Sequence, residues 1–150
     1  MSTLLFFAHF AATWYLVGLC WLVQRVQYPL MARVGAEDFA LFEEAHVRRI
    51  GPVVAPVMIL EAASGAALWR FGGPVCQEPA FVSALLLLVL IWLSTFLVQV
   101  PLHGLLGRGF DAVAHGRLVR TNWVRTVGWN VRGLLLLWIL GSDAPGLAAG

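Results

Sequence analysis

Asn122, Arg125, Trp129 and Arg132 recur at steps of three, four and three, which puts an amide, two guanidinium groups and an indole on one face of a helix. Such a stripe can hydrogen-bond oxygen atoms and cover a ring. Thr95, Gln99 and His103 make a second stripe at steps of four, and Gln24, Gln27, Tyr28, Glu43 and His46 fall near the same level of the chain. Imidazole takes up a proton near neutrality, with an unperturbed pKa of about 6.5. His103 and His46, with Arg125, are therefore the candidate catalytic groups. Gln99, Asn122, Trp129, Gln27, Glu61 and Arg132 are the candidate ligand-binding groups.

These residues lie in a very apolar chain. Of 150 residues, 60% are hydrophobic and 12% charged, and the mean hydropathy is +0.81, outside the range of ordinary soluble domains. Apolar runs predict an all-α protein, an integral membrane four-helix up-down-up-down bundle in a single domain. The spans are expected at about 3–24, 52–70, 80–100 and 121–141, with polar helical extensions at about 37–51 and 111–121. Glu37 and Asp38 are expected in the first turn of the second helix. Pro52 and Pro56 either kink that helix or break it, and the third is expected to end near Pro101. The tail SDAPGLAAG is expected to be mobile.

The first apolar run has no basic residue before it and no small-residue cleavage site after it, so it reads as a retained span and not as a signal peptide. Cys20 and Cys76 lie at different expected depths, which argues against a disulfide. All ten basic residues are arginines, and Arg25, Arg33, Arg48, Arg49, Arg108, Arg117 and Arg120 fall in the two connections 25–51 and 101–120. The positive-inside bias makes those connections cytoplasmic and both termini extracytoplasmic, in a membrane of the bacterial inner-membrane kind. A net charge of +2 held at a membrane surface suits anionic lipid and not nucleic acid.

Counting nine residues inward from Gly141 and from Arg70 puts Arg132 and Glu61 at one depth, about 14 Å from the boundary. A lone charge there costs about 2.5 kcal/mol or more, so the two are expected to pair, as a structural pin or as the inner end of a ligand site.

Three kinds of occupant fit the polar cluster. His46 and His103 with Glu43 or Asp111 could ligate a metal, although Glu43-x-x-His46 is not repeated on a second helix as in di-iron bundles and the nearby arginines disfavour a cation. His46, His103 or His9 could ligate haem, His9 being more simply a satisfied polar residue toward the opposite side. A lipophilic molecule with carbonyl or phenolate oxygens suits the residue types best, with Trp92, Trp123 and Trp129 against its rings. The cofactor is thus open between none, a metal, haem and a quinone.

The segments VQVPLHGLL (98–106) and TNWVRT (121–126) resemble the anthrone-oxygenase-like family of small four-helix membrane proteins. That family tends to show Val-Asn-Val-Pro-Leu-Asn in helix three and a segment ending Arg-Thr in helix four. The resemblance covers roughly the C-terminal half and implies oxygenation of polycyclic phenolic substrates without a recognised cofactor. Gln99 and His103 stand where the family motif usually has asparagines.

The function expected from the sequence is binding, with oxidation if the protein is an enzyme, of a lipophilic aromatic or quinone-like molecule at the arginine-rich end of the bundle. The alternative is an accessory subunit or homo-oligomer whose outer faces, including Phe6, Phe7, Phe10 and Trp14, pack in a larger membrane complex. A transporter would need more room for alternating access than one four-helix unit offers.

Overall fold

A computed structural model of the chain describes residues 3–142; the expected mobile tail lies outside the described residues except for Ser142. Four long helices, α1 (Thr3–Met31), α2 (Phe39–Phe71), α3 (Pro79–Leu106) and α4 (Ala112–Ser142), run alternately up and down. The first three are long and apolar enough to cross a membrane. α4 has the length but not the composition, because Asn122, Arg125, Asn130 and Arg132 dilute its apolar run. It nevertheless lies along both α1 and α3, and Asn122, Trp129 and Arg132 are buried between them.

Several helix boundaries differ from expectation. α2 begins at Phe39, after a hydrogen-bonded turn at Gly35–Asp38, so Glu37 and Asp38 precede it. It then runs unbroken through Pro52 and Pro56 to Phe71. α3 does not end at Pro101. A π-helical turn at Thr95–Gln99, closed by the Val100 N–H on the Thr95 carbonyl, widens the helix just before the proline. α1 repeats the device at Val23–Gln27, where the Tyr28 N–H bonds the Val23 carbonyl immediately before Pro29. Proline lacks an N–H and its ring collides with the carbonyl four residues back; an inserted π-turn lets the helix continue past it. Both sites share the sequence Val-Gln-x-Pro-Leu, at 26–30 and 98–102. Asp111 caps α4 by accepting the Val113 and Ala114 N–H groups, each at 2.8 Å.

Apolar and polar layers alternate along the bundle. At the end away from the arginine-rich connections, Phe6, Leu68, Phe81, Leu136 and Ile139 pack around Cys76; burial pushes that thiol's pKa up, which keeps it protonated and unreactive. Cys20 lies in the middle layer with Leu16, Met58, Ile91 and Trp129. Phe6 is thus a core residue and not part of an outer docking face; Phe7 is exposed, and Phe10 and Trp14 are half-buried.

Between these two layers lies a charged one. Glu61 and Arg132, both 0% exposed, pair at 3.0 Å. Thr13 Oγ1 donates to Glu61 Oε1 at 2.7 Å and Trp129 Nε1 to Oε2 at 3.1 Å. Arg132 also donates to the Ala84 carbonyl and, at 3.4 Å, to His9 Nε2. That contact leaves the proton of His9 on Nδ1, which faces the Glu61 carbonyl and Ser64 Oγ, each at 3.0 Å. All four helices contribute, and small residues admit the groups: a Cβ on Gly65 would lie 2.9 Å from the His9 ring, and one on Gly133 3.1 Å from Trp14.

Removing one member of a buried pair leaves the other charge uncompensated, at a cost of about 3–5 kcal/mol. Arg132→Met should therefore lower stability in mild detergent by about that amount, read by tryptophan fluorescence during titration with a denaturing detergent. The double variant Arg132→Met, Glu61→Leu should lose less than the sum of the two singles. A single variant within about 1 kcal/mol of the parent, small against that range, would show that the pair does not hold the bundle.

Candidate functional site

The packing leaves one side of the bundle open. α1 lies against α2 and α4, and α3 against α4, but α2 and α3 touch little. A cavity of about 720 Å³ occupies the gap, floored by α1 and α4 and opening sideways past the exposed side chains of Val47, Phe96 and Val100. Gly51 and Gly104 line it, and a Cβ on either would meet nothing within 4 Å, so missing side chains help to make the space.

Its walls are apolar toward the middle of the bundle, with Leu16, Val54 and Met58, and polar at the arginine-rich end, where Tyr28, Glu43, His46, Gln99, His103 and Arg125 converge. His103 joins three of these. Its Nδ1 lies 2.5 Å from Glu43 Oε1 and its Nε2 3.1 Å from the Tyr28 hydroxyl. With the carboxylate ionised, the ring proton sits on Nδ1 and Nε2 accepts from tyrosine, giving an unbroken chain Tyr28, His103, Glu43. His46 lies beside His103, ring centroids 5.6 Å apart, and is held by Gln27 at 3.3 Å. The Arg125 guanidinium lies over the Trp129 ring, 5.3 Å from its centroid, a favourable cation–π placement.

Three polar atoms of the wall are buried and unpartnered: Glu43 Oε2, Gln99 Oε1 and Arg125 Nε. Glu43 and Gln99 are each only 1% exposed. Buried polar groups are nearly always bonded, so orphaned atoms beside a cavity mark a place where something with complementary atoms fits. Here the set holds two acceptors and a donor.

The expected ligand-binding residues divide in two. His103, His46, Arg125, Gln99 and Trp129 line the cavity. Asn122, Gln27, Glu61 and Arg132 do not. Asn122 Nδ2 donates to Gln24 Oε1 at 2.8 Å, and Gln24 Nε2 to the Val119 carbonyl at 3.1 Å, so the two amides link α1 to α4, with Asn122 Oδ1 left without a partner. Glu61 and Arg132 are consumed by the charged layer and are linked to the cavity through Trp129, which lines it and donates to Glu61. Trp123 is on the outer surface, edge-on to Trp21 at 5.6 Å, and Trp92 is outside the cavity wall. Asp111 is used as a helix cap, and among the described residues no three His, Cys, Asp or Glu side chains are grouped so as to hold a metal.

Tyr28 was not among the expected catalytic groups, and Glu43 was considered only as a metal ligand. The twofold occurrence of Val-Gln-x-Pro-Leu was the available signal, since Tyr28 is its variable residue in α1 and His103 follows it in α3. His115, also unremarked in the sequence, supports the site from below by bonding the Tyr28 carbonyl at 2.8 Å in the last turn of α1.

Fold and site together define a class: a small all-α membrane bundle with a laterally open cavity that is polar at one end. No family model, curated protein or solved structure matches the chain.

Asn122→Ala strands the Gln24 carbonyl oxygen in the core, which costs about 1–3 kcal/mol. The variant should unfold correspondingly earlier in detergent while the cavity keeps its shape. Unchanged stability would remove Asn122 from the structural column.

Proposed function

We propose that the protein binds a lipophilic aromatic molecule of the phenol or quinone kind in this cavity and exchanges a proton with its oxygen. The observation that carries the reading is the mixed set of orphaned atoms, two acceptors and one donor, in a cavity that is otherwise apolar. A phenolic hydroxyl both donates and accepts, and a quinone carbonyl accepts from Arg125, so the two redox forms of one ring system satisfy complementary parts of the wall. Trp129, under the Arg125 guanidinium, backs this part of the wall.

Chemically, the chain Tyr28, His103, Glu43 supplies a proton path. A ligand hydroxyl that gives its proton to the Tyr28 oxygen allows the tyrosine proton to move to His103 Nε2, and the imidazolium so formed is held against the Glu43 carboxylate. Arg125 lies where it favours the resulting phenolate. The phenolate is the form that surrenders an electron or reacts with dioxygen, so oxidation requires such an acceptor in addition to this chain. The resemblance of 98–106 and 121–126 to the anthrone-oxygenase-like family points the same way. The arginine-rich end is cytoplasmic on the positive-inside bias, in a membrane of the bacterial inner-membrane kind.

The test is calorimetric titration of the protein in lipid nanodiscs with 1,4-naphthohydroquinone and 1,4-naphthoquinone. Gly104→Leu, which fills the cavity without a clash at its Cβ, serves as the control for partition into lipid. Saturable binding should appear in the parent only, and Arg125→Ala or His103→Ala should weaken it at least about tenfold, or about 1.4 kcal/mol. Identical heats for parent and Gly104→Leu would refute the reading.

A further inference from the structure

A second groove continues the cavity toward the middle of the bundle. It holds about 430 Å³ and is lined by Ala62 of α2 and by Leu88, Val89, Trp92, Leu93 and Leu97 of α3. Phe96 belongs to both walls. Val89, Leu93 and Leu97 are exposed on the outer face of α3, so the groove is open to the surrounding hydrocarbon along its length.

Cavity and groove follow the helix axes in one direction. From His103 at the polar end to Leu88 at the groove's end is fifteen residues of α3, or about 22 Å, of which the eight residues from Phe96 to Leu88 make about 12 Å. The groove stops at Ala62, next to Glu61, and one turn from the Ala84 carbonyl that Arg132 holds. The charged layer therefore lies just beyond the groove's far end. A polar end near the boundary, an apolar trough below it and a stop at mid-depth reproduce the arrangement of an amphiphile in one leaflet of a bilayer.

We propose that the ligand carries a long apolar tail, with its oxygen-bearing ring among Tyr28, His103, Gln99 and Arg125 and its tail in the groove between Ala62 and Leu88. This rests on the preceding reading of the cavity and adds the class of ligand: a membrane-resident phenol or quinone with an alkyl or isoprenoid chain, which enters between α2 and α3 without leaving the leaflet. The tail belongs in this groove and not in bulk lipid because the trough adjoins the ring site at Phe96, which lines both, and runs from there toward the charged layer.

The experiment compares 1,4-naphthoquinone with its decyl-substituted analogue, on the parent in nanodiscs, on Val89→Phe and Ala62→Phe, which narrow the groove from α3 and from α2, and on Gly104→Leu as the background for partition. The decyl analogue should bind the parent at least tenfold more tightly than the tail-less ring. Either groove variant should erase most of that gain while leaving the tail-less affinity within about twofold, as expected of a substitution that leaves the ring site untouched. A gain that survives in both groove variants arises from partition and overturns the tail site, with the ring site intact; so does equal binding of the two compounds. Failure of both compounds to bind above the Gly104→Leu background overturns the tail site and the ring site together.

Discussion

Arg132 is 0% exposed in a bundle whose outer surface is apolar, and the remaining architecture follows from satisfying it. A guanidinium that cannot reach water must find acceptors among its neighbours, or its desolvation exceeds what the surrounding packing supplies. The structure answers with an acceptor from each of the other three helices, His9 Nε2 from α1, the Glu61 carboxylate from α2 and the Ala84 carbonyl from α3, while Thr13 and Trp129 donate to Glu61 in turn. Because these contacts involve all four helices at one level, they fix the relative height of every helix. Glycines at 65 and 133 then allow the close approach that the hydrogen bonds require. The pair is thus a positioning device for the bundle, and Trp129, which donates to Glu61 and lines the cavity, links it to that space.

In that layer both Glu61 oxygens and both Arg132 amino groups are bonded and Arg132 Nε has no partner; at the arginine-rich end the unpartnered atoms belong to residues that line a cavity. Gln24 and Asn122 share one hydrogen bond away from the cavity, whereas Glu43, Gln99 and Arg125, each with an unpartnered atom, line a space that the helices do not fill. The difference is one of packing. Where α1 and α4 meet, amides find amides; where α2 and α3 diverge, the polar groups of each wall face a gap. A bundle with an unfilled side facing hydrocarbon is accessible to hydrocarbon-soluble molecules and poorly accessible to water, which strengthens every electrostatic contact made inside.

Much of this was legible in the sequence, and the parts that were not have physical causes. Hydropathy identified the helices, and equal counting from two boundaries put Glu61 opposite Arg132, because helical rise is constant and lipid forbids an unpaired charge. The face holding Asn122, Arg125, Trp129 and Arg132 was correct as a face. What spacing cannot say is which neighbour a face meets. Asn122 meets an amide, Arg132 meets a carboxylate, and Arg125 meets the Trp129 ring at the edge of a cavity. Trp123, one residue from the stripe, turns outward. Helix ends were misjudged at Pro101 because the rule that proline stops a helix assumes an α-turn before it.

The π-turns account for more than continuity. Each inserts one residue into the helical count, which rotates everything beyond it by about 100° relative to an uninterrupted α-helix. Tyr28 lies just beyond the first turn and His103 beyond the second. Steps of four did place His103 on the cavity wall with Thr95 and Gln99, but spacing within one helix could not pair it with Tyr28 of another. In the structure they meet at 3.1 Å, with Glu43 behind the imidazole. The same Val-Gln-x-Pro-Leu segment, used once in each helical hairpin, thus turns two ordinary spans toward one another at the level where the cavity is polar. Each helix returns to α-helical bonding at its proline and carries the offset to its end.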